Sequence, residues 1–214
     1  MHSFPQLKYI LVLSLLMVFN NSSAQSVADL WISMPDELVP YLTLNQKKEM
    51  IECRKIGVDS KVKNKLQGDT DIDTLSADYG KFIVSNSREI EMVKLPTKND
   101  SILLVIDTYK GPLAHSKAAF YTLEWGILPS ENVVPQFQVE DFILNSDTLT
   151  AAEQEEILSI CSHPLYSYSY DKSTGRLIVK LSLPSVTLDD KKRIEEKSCK
   201  KMLIWTGEMF TNVI

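Results

Sequence analysis

"SILLVIDTY" (Ser101–Tyr109) carries five successive apolar residues, Ile102 to Ile106. A strand with one wet face alternates apolar and polar side chains, because neighbouring Cβ atoms point to opposite faces. A strand apolar at every position must be central and covered on both faces. The flanking runs "KFIVS" (Lys81–Ser85), "EIEMVKL" (Glu89–Leu95) and "AAFYTLEW" (Ala118–Trp125) are likewise β-branched and aromatic. Between them Asn86-Ser87, Lys98-Asn99-Asp100 and Gly111-Pro112 supply turn chemistry. These spacings predict four strands in an antiparallel meander.

Upstream, "TLNQKKEMIECRKIG" (Thr43–Gly57) reads as a helix, with Thr43 or Asn45 as its cap and Gly57 as its end. Leu44, Lys48, Ile51 and Lys55 fall on one side of it. "VDSKVKNKLQGDTDID" (Val58–Asp73) is polar and reads as loop. Downstream, Gly126, Pro129 and Pro135 mark a seam. "FQVEDFIL" (Phe137–Leu144) is then predicted as a short strand and "TAAEQEEILSIC" (Thr150–Cys161) as a helix, with Thr150 and Glu153 forming a capping box. "LYSYSY" (Leu165–Tyr170) and "RLIVKLSLP" (Arg176–Pro184) form a hairpin about Asp171–Gly175. A polar helix over Leu188–Lys201 and a closing strand over Met202–Phe210 complete the chain. The class expected is α+β: antiparallel sheets, meander plus hairpin, with three helices. Residues 25–128 and 129–214 form two halves packed as one compact unit. Both contain a helix introduced by Thr-Leu, which admits an ancient duplication.

Residues 1–24 have the three parts of a removable leader: polar "MHSFPQLK", apolar "YILVLSLLMVF", and "NNSSA" with Ser22 and Ala24 at −3 and −1. The apolar run is too short to span a bilayer. With no Cys at the cut, a lipoprotein is not expected. Cleavage before Gln25 removes one of the 23 basic side chains, Lys8, and none of the 28 acids, leaving 22 against 28, a formal charge of −6. That balance argues against nucleic acid, whose affinity comes from Lys and Arg neutralising phosphates. Cys53, Cys161 and Cys199 are too far apart in sequence for a CxxC motif. The reading is buried small residues, with one bridge left open.

No catalytic pattern assembles. "ICSHP" sets Cys161 two residues from His163, but a cysteine nucleophile also needs an orienting group and an oxyanion hole. His115 and Ser116, being strand neighbours, point apart, and GxSxG, HExxH and Walker sequences are absent. Asp69, Asp71 and Asp73 begin like an EF-hand loop, yet Thr74 and Gly80 stand where Gly and Glu are required. A solvated acidic loop is expected there, with a weak calcium site left open and no metal or cofactor assigned. Tyr166, Tyr168 and Tyr170 alternate with Ser167 and Ser169, so three rings share one face. That face either binds a glycan or peptide, or lies beneath a helix with the serines outward.

"LWISMPDELVPYLTLNQKKEMI" (Leu30–Ile51) and "DTYKGPLAHSKAAFYTLEW" (Asp107–Trp125) together resemble a secreted, Bacteroidales-restricted family of unknown function, family 3256. The central signature is carried by Tyr109, Gly111, Pro112, Ser116, Phe120, Tyr121 and Trp125. "LDDKKRIEEKSCKKMLIW" (Leu188–Trp205) resembles the family's polar helix and last strand. His115 stands where the family pattern has an acid, which speaks against a catalytic role there. The resemblance implies export and a shared fold, and no activity. In the first stretch, Pro35 and Pro40 restrict the backbone, while Trp31, Met34, Leu38 and Leu42 are expected to pack on the sheet or first helix. An exposed apolar patch is the alternative. The function expected is that of an exported, non-catalytic binding or structural protein of the periplasm or cell surface. Its partner would be a protein, peptide or glycan. The alternative is a hydrolase-like enzyme with dispersed site residues.

Overall fold

The computed structural model describes residues 25–111, 113–143, 150–161, 164–182 and 198–213. Two short helices, α1 (Val27–Ser33) and α2 (Leu44–Lys55), precede seven strands. These are β1 (Val62–Lys63), β2 (Asp69–Leu75), β3 (Tyr79–Ser85), β4 (Arg88–Pro96), β5 (Ser101–Lys110), β6 (Ala114–Tyr121) and β7 (Ile127–Leu128), hydrogen-bonded in chain order as one antiparallel sheet. A 3-10 turn (Val139–Phe142) and α3 (Ala151–Ile160) follow. A second antiparallel sheet contains β8 (Leu165–Asp171), β9 (Arg176–Ser182), β10 (Lys201–Trp205) and β11 (Phe210–Asn212), in the order β11-β10-β9-β8. The class is α+β.

β5 explains the layering. Leu103 and Val105 enter one core with α1, α2 and the loop between them, while Leu104 and Ile106 enter a second core with Leu177, Val179 and Leu203 of the other sheet. The seven-stranded sheet is thus covered by helices on one side and by the four-stranded sheet on the other, as the unbroken apolar run Ile102–Ile106 requires.

The opening stretch is the helical layer. Ser26 and Asp29 form a capping box that starts α1, an element the sequence reading did not foresee. Trp31 is fully buried and stacks on Phe82, with centroids 3.9 Å apart and planes 5° apart. Met34 and Leu42 are buried, and Leu38 packs against the same core. Two cations fasten the loop. Lys47, buried on α2, donates to the Met34 carbonyl at 2.6 Å and reaches Asp36 at 3.3 Å. Arg88 grips Asp107 with two bonds of 2.8 Å and donates to the Leu38 carbonyl and the Tyr41 hydroxyl. The inward residues of α2 are therefore Lys47, Met50 and Ile51, whereas Leu44 is exposed: tertiary demand for a donor overrides the apolar stripe.

Other departures have local causes. Residues 58–73 are not all loop. β1 and β2 pair there, and Asn64 accepts the N–H groups of Leu66 and Gly68 to shape their turn. The described part of the expected Phe137–Leu144 strand, up to Ile143, is not a strand; Gln138 and Asp141 cap a 3-10 turn, and Ile143 makes a single bridge to Ser198. The closing strand is a hairpin, β10–β11, because Gly207 (φ +100°) reverses the chain. The Leu188–Lys201 helix falls mainly outside the described residues, but Ser198 is in that bridge and Lys201 is already in β10. Residues 1–24 and His163 also lie outside them.

The two sheets are clamped by polar side chains. β8 is an edge strand, and its outward N–H groups land on the other sheet: Tyr168 N–H on Ser116 Oγ (2.9 Å) and Tyr170 N–H on Glu91 Oε2 (2.9 Å). Ser116 also bonds Thr108 at 2.7 Å, and Glu91 accepts the Tyr79 hydroxyl at 3.0 Å. Glu91 is 1 % exposed, and burial raises its carboxyl pKa above the ordinary value. Its neighbour Glu89 is held below the ordinary range despite burial, by Lys110 at 2.6 Å and Lys81 at 3.2 Å.

Two outcomes follow. Because the Glu91 pKa is raised on folding, its contribution to stability is full below the unfolded value of 4.5 and is lost as pH rises through the folded pKa. Glu91→Gln keeps an acceptor for Tyr170 and removes that loss, so its stability relative to the native protein improves as pH rises above 4.5 and levels off once the folded carboxyl has ionised, as read in urea titrations. Glu91→Ala strands the Tyr170 N–H and costs about 1–3 kcal/mol at acid pH, where the native carboxyl contributes in full. Separately, a Cβ on Gly80 would sit 2.7 Å from the Phe82 ring and 2.8 Å from Val27. Gly80→Ala is expected to destabilise by about 1–3 kcal/mol through overpacking, measured by the same titration.

Candidate functional site

The tyrosine ladder faces the seven-stranded sheet, with no helix over it among the described residues. Tyr166, Tyr168 and Tyr170 project from one side of β8 and join the inter-sheet core as half-buried members. The paired residues of β9 explain this: Leu181, Val179 and Leu177 lie directly opposite them and share their face. Tyr170 stacks on Tyr79 at 6.1 Å. Tyr166 stacks on Phe142 at 5.4 Å, and its hydroxyl donates to the Phe137 carbonyl at 3.0 Å. Burial raises the pKa of all three phenols, so they remain neutral donors.

The ladder is thus no open aromatic platform, but two of its rings reach a groove. Tyr166 and Tyr168 line a cavity of about 470 Å³ whose other wall is the segment from Ser130 to Gln138. A second cavity of about 300 Å³ shares Ser130, Val134 and Tyr168 with it and continues along β6 past His115 and Lys117. Tyr170 lines neither. Asn132 (φ +64°) and Pro135 bend the wall, and the Val133 carbonyl accepts Phe210 N–H at 2.8 Å, tying it to β11. Phenol ring, carboxamides of Asn132, Gln136 and Gln138, and a cationic end at Lys117 give a surface able to hold a polar, partly apolar ligand. The polar run Ser130–Gln136 was visible in the sequence only as a seam.

Residues considered for catalysis sit apart. Ser116 Oγ is occupied by Thr108 and the Tyr168 N–H, and His115 is exposed on the opposite face of β6. Cys161 is buried at the end of α3 against Val139 and Ile157, and burial pushes its thiol pKa up, away from thiolate. Cys53, Cys161 and Cys199 are free thiols.

Asp69, Asp71 and Asp73 lie on strand β2, correcting the loop expectation. Asp69 pairs with Lys63 at 2.6 Å, Asp71 accepts the Ser60 hydroxyl, and Asp73 accepts Thr74. Among the described residues no three His, Cys, Asp or Glu side chains cluster as metal ligands. In the hairpin turn, hydroxyls of Ser173 and Thr174 lower the Asp171 pKa to about 2.

The sequence matches a family described as "Protein of unknown function (DUF3256)" over residues 19–210. None of the curated proteins compared with the chain matches it. A solved domain of an uncharacterized protein from Porphyromonas gingivalis W83 superposes with a TM-score of 0.73 at 21% identity, over 89% of this chain and 100% of that one. At that identity the likeness is one of fold. Since the family match spans both sheets and the helices described, this chain belongs to the DUF3256 family.

Proposed function

We propose that the protein is exported through a cleaved leader and works, without catalysis, as an interaction protein of the periplasm or cell surface. Its ligand, a peptide or glycan, occupies the groove between β6, the Ser130–Gln138 wall and the β8 tyrosines. The observation that carries the reading is the cavity of about 470 Å³ in which two half-buried phenols meet a carboxamide-bearing wall. Such a mixture suits ligands that offer both apolar faces and hydrogen-bonding groups. Export is supported by the leader-like first 24 residues, and a secreted Bacteroidales family accords with the neighbour from Porphyromonas gingivalis. No described helix is long and apolar enough to cross a membrane. A net acidic chain is a poor match for nucleic acid.

Two measurements test this. Mass spectrometry of the protein from fractionated cells is expected to find a mature N-terminus at Gln25 outside the cytoplasm. A photo-crosslinker replacing Gln136 is expected to capture a discrete ligand in the envelope that the same group at Leu66, in the exposed β1–β2 turn, does not. An intact leader in the cytoplasm, or equal labelling from both positions, defeats the reading. Turnover on a substrate panel, abolished by one groove substitution, would install the hydrolase-like alternative.

A further inference from the structure

The hydrogen-bond phase of the large sheet shows which backbone groups face the groove. Lys110 N–H donates to the Ser87 carbonyl (2.7 Å), so even-numbered residues of β5 bond to β4 and odd-numbered ones to β6. Across β5–β6 the odd pairs, Asp107 with Lys117 and Tyr109 with His115, therefore carry the ladder bonds. Thr122 N–H donates to the Gly126 carbonyl (2.8 Å), which fixes the same phase on the far side of β6. The N–H and C=O groups of Ala114, Ser116 and Ala118 thus point out of the sheet edge. β7 covers only Phe120 and Tyr121, because Pro129 follows it and Asn132 turns the chain away.

Two other edges in this molecule are sealed by side chains. β8 is closed by Ser116 and Glu91, and β2 by Ser60 on Ile72 N–H and Arg54 on the Asp73 carbonyl. On β6, Ser182 donates to the Ala114 carbonyl, and among the described residues nothing occupies the outward groups of Ser116 and Ala118. The cavity of about 300 Å³ runs beside these two residues.

We propose that the β6 edge receives an extended peptide as an added strand, in line with β7, its alternate side chains apolar and acidic. This rests on the groove reading above and names its ligand class. A strand in that place pairs with Ser116 and Ala118 through its backbone. Its residues opposite Ser116 and Ala118 project to the tyrosine side, into the cavity bounded by Tyr168 and Val134, and suit apolar side chains. Its intervening residues project to the other side, beside His115 and Lys117. Lys117 has no ion pair among the described residues, since its cross-strand neighbour Asp107 is taken by Arg88. Carboxylates on the guest strand complete that charge pattern.

The probe is an acetylated, amidated heptapeptide alternating valine and glutamate, titrated into the isotope-labelled mature protein, with its lysine counterpart as control. Amide hydrogen exchange of Ser116 and Ala118 is expected to slow on adding the glutamate peptide. Ala118→Pro, which removes one outward N–H from an edge where Pro is tolerated, is expected to weaken binding about tenfold. Lys117→Glu is expected to transfer preference to the lysine peptide, and it keeps the test open should Ala118→Pro fail to fold. Unchanged exchange at both amides, or unchanged affinity in Ala118→Pro, overturns the proposal. A dimer that Ala118→Pro abolishes assigns the edge to a second copy and overturns it too. Glycan binding lost in Gln136→Ala, with both amides unprotected, would retain the groove reading and remove strand addition alone.

Discussion

A carboxylate with 1 % exposure holds the edge of one sheet onto the face of another. Edge strands carry unpaired N–H groups that must be satisfied when they are covered. β8 meets that demand with Glu91 and Ser116 in place of a neighbouring strand, and the placement of both sheets follows from it. Because Glu91 binds the backbone of β8, it fixes the height and register of that strand over β4 and β6. The tyrosines are then carried down into the inter-sheet core, where Tyr170 meets Tyr79 and Tyr166 meets Phe142. Among the described residues, the groove is what remains between the crossing strand, the bent 130–138 wall and the end of β6 that β7 does not reach. A buried carboxyl group is a costly way to join two sheets, and the Lys81 ammonium, 3.7 Å away, offsets part of that cost.

Much of the fold was legible because it obeys local rules. The run Ile102–Ile106 announces burial on two faces, and the four strands Lys81–Tyr121 with their turns stand where periodicity puts them. Thr43 with Gln46 and Thr150 with Glu153 begin the two helices expected from their capping residues. Elements that failed to show lack such signals. α1 is only seven residues long and its cap is one Ser-x-x-Asp step. β1, β7 and β11 have two or three residues each, too few for a period to declare itself. Asp69–Leu75 alternates, but its acids made it look like loop chemistry, since the sequence does not reveal that Thr70 and Ile72 are the inward members.

The groove was legible only in part. Tyr166, Tyr168 and Tyr170 were identifiable as one face, but which body covers that face depends on residues far away in the chain. Glu91 gave a faint sign, as an acid within the apolar strand Ile90–Leu95, although its partner Tyr170 is 79 residues distant. Residues that carry the family resemblance now have physical roles. Ser116 receives the β8 backbone and Phe120 fills the inter-sheet core. Trp125 donates to Ser33 at the end of α1, and Tyr109 lies 5.3 Å from the Arg88 guanidinium. These are mostly assembly roles, which is why a shared sequence pattern announces a shared architecture more readily than a shared chemistry.

The anchoring of the N-terminal layer has a consequence for the order in which the molecule comes together. Trp31 needs Phe82, Leu38 needs Arg88, and Ser33 needs Trp125, separations of 51, 50 and 92 residues. A ribosome delivers the first partner of each pair long before the second. The earliest-made part of this polypeptide thus waits undocked while the meander is still being synthesised, and its apolar side chains find shelter only when the sheet is nearly complete.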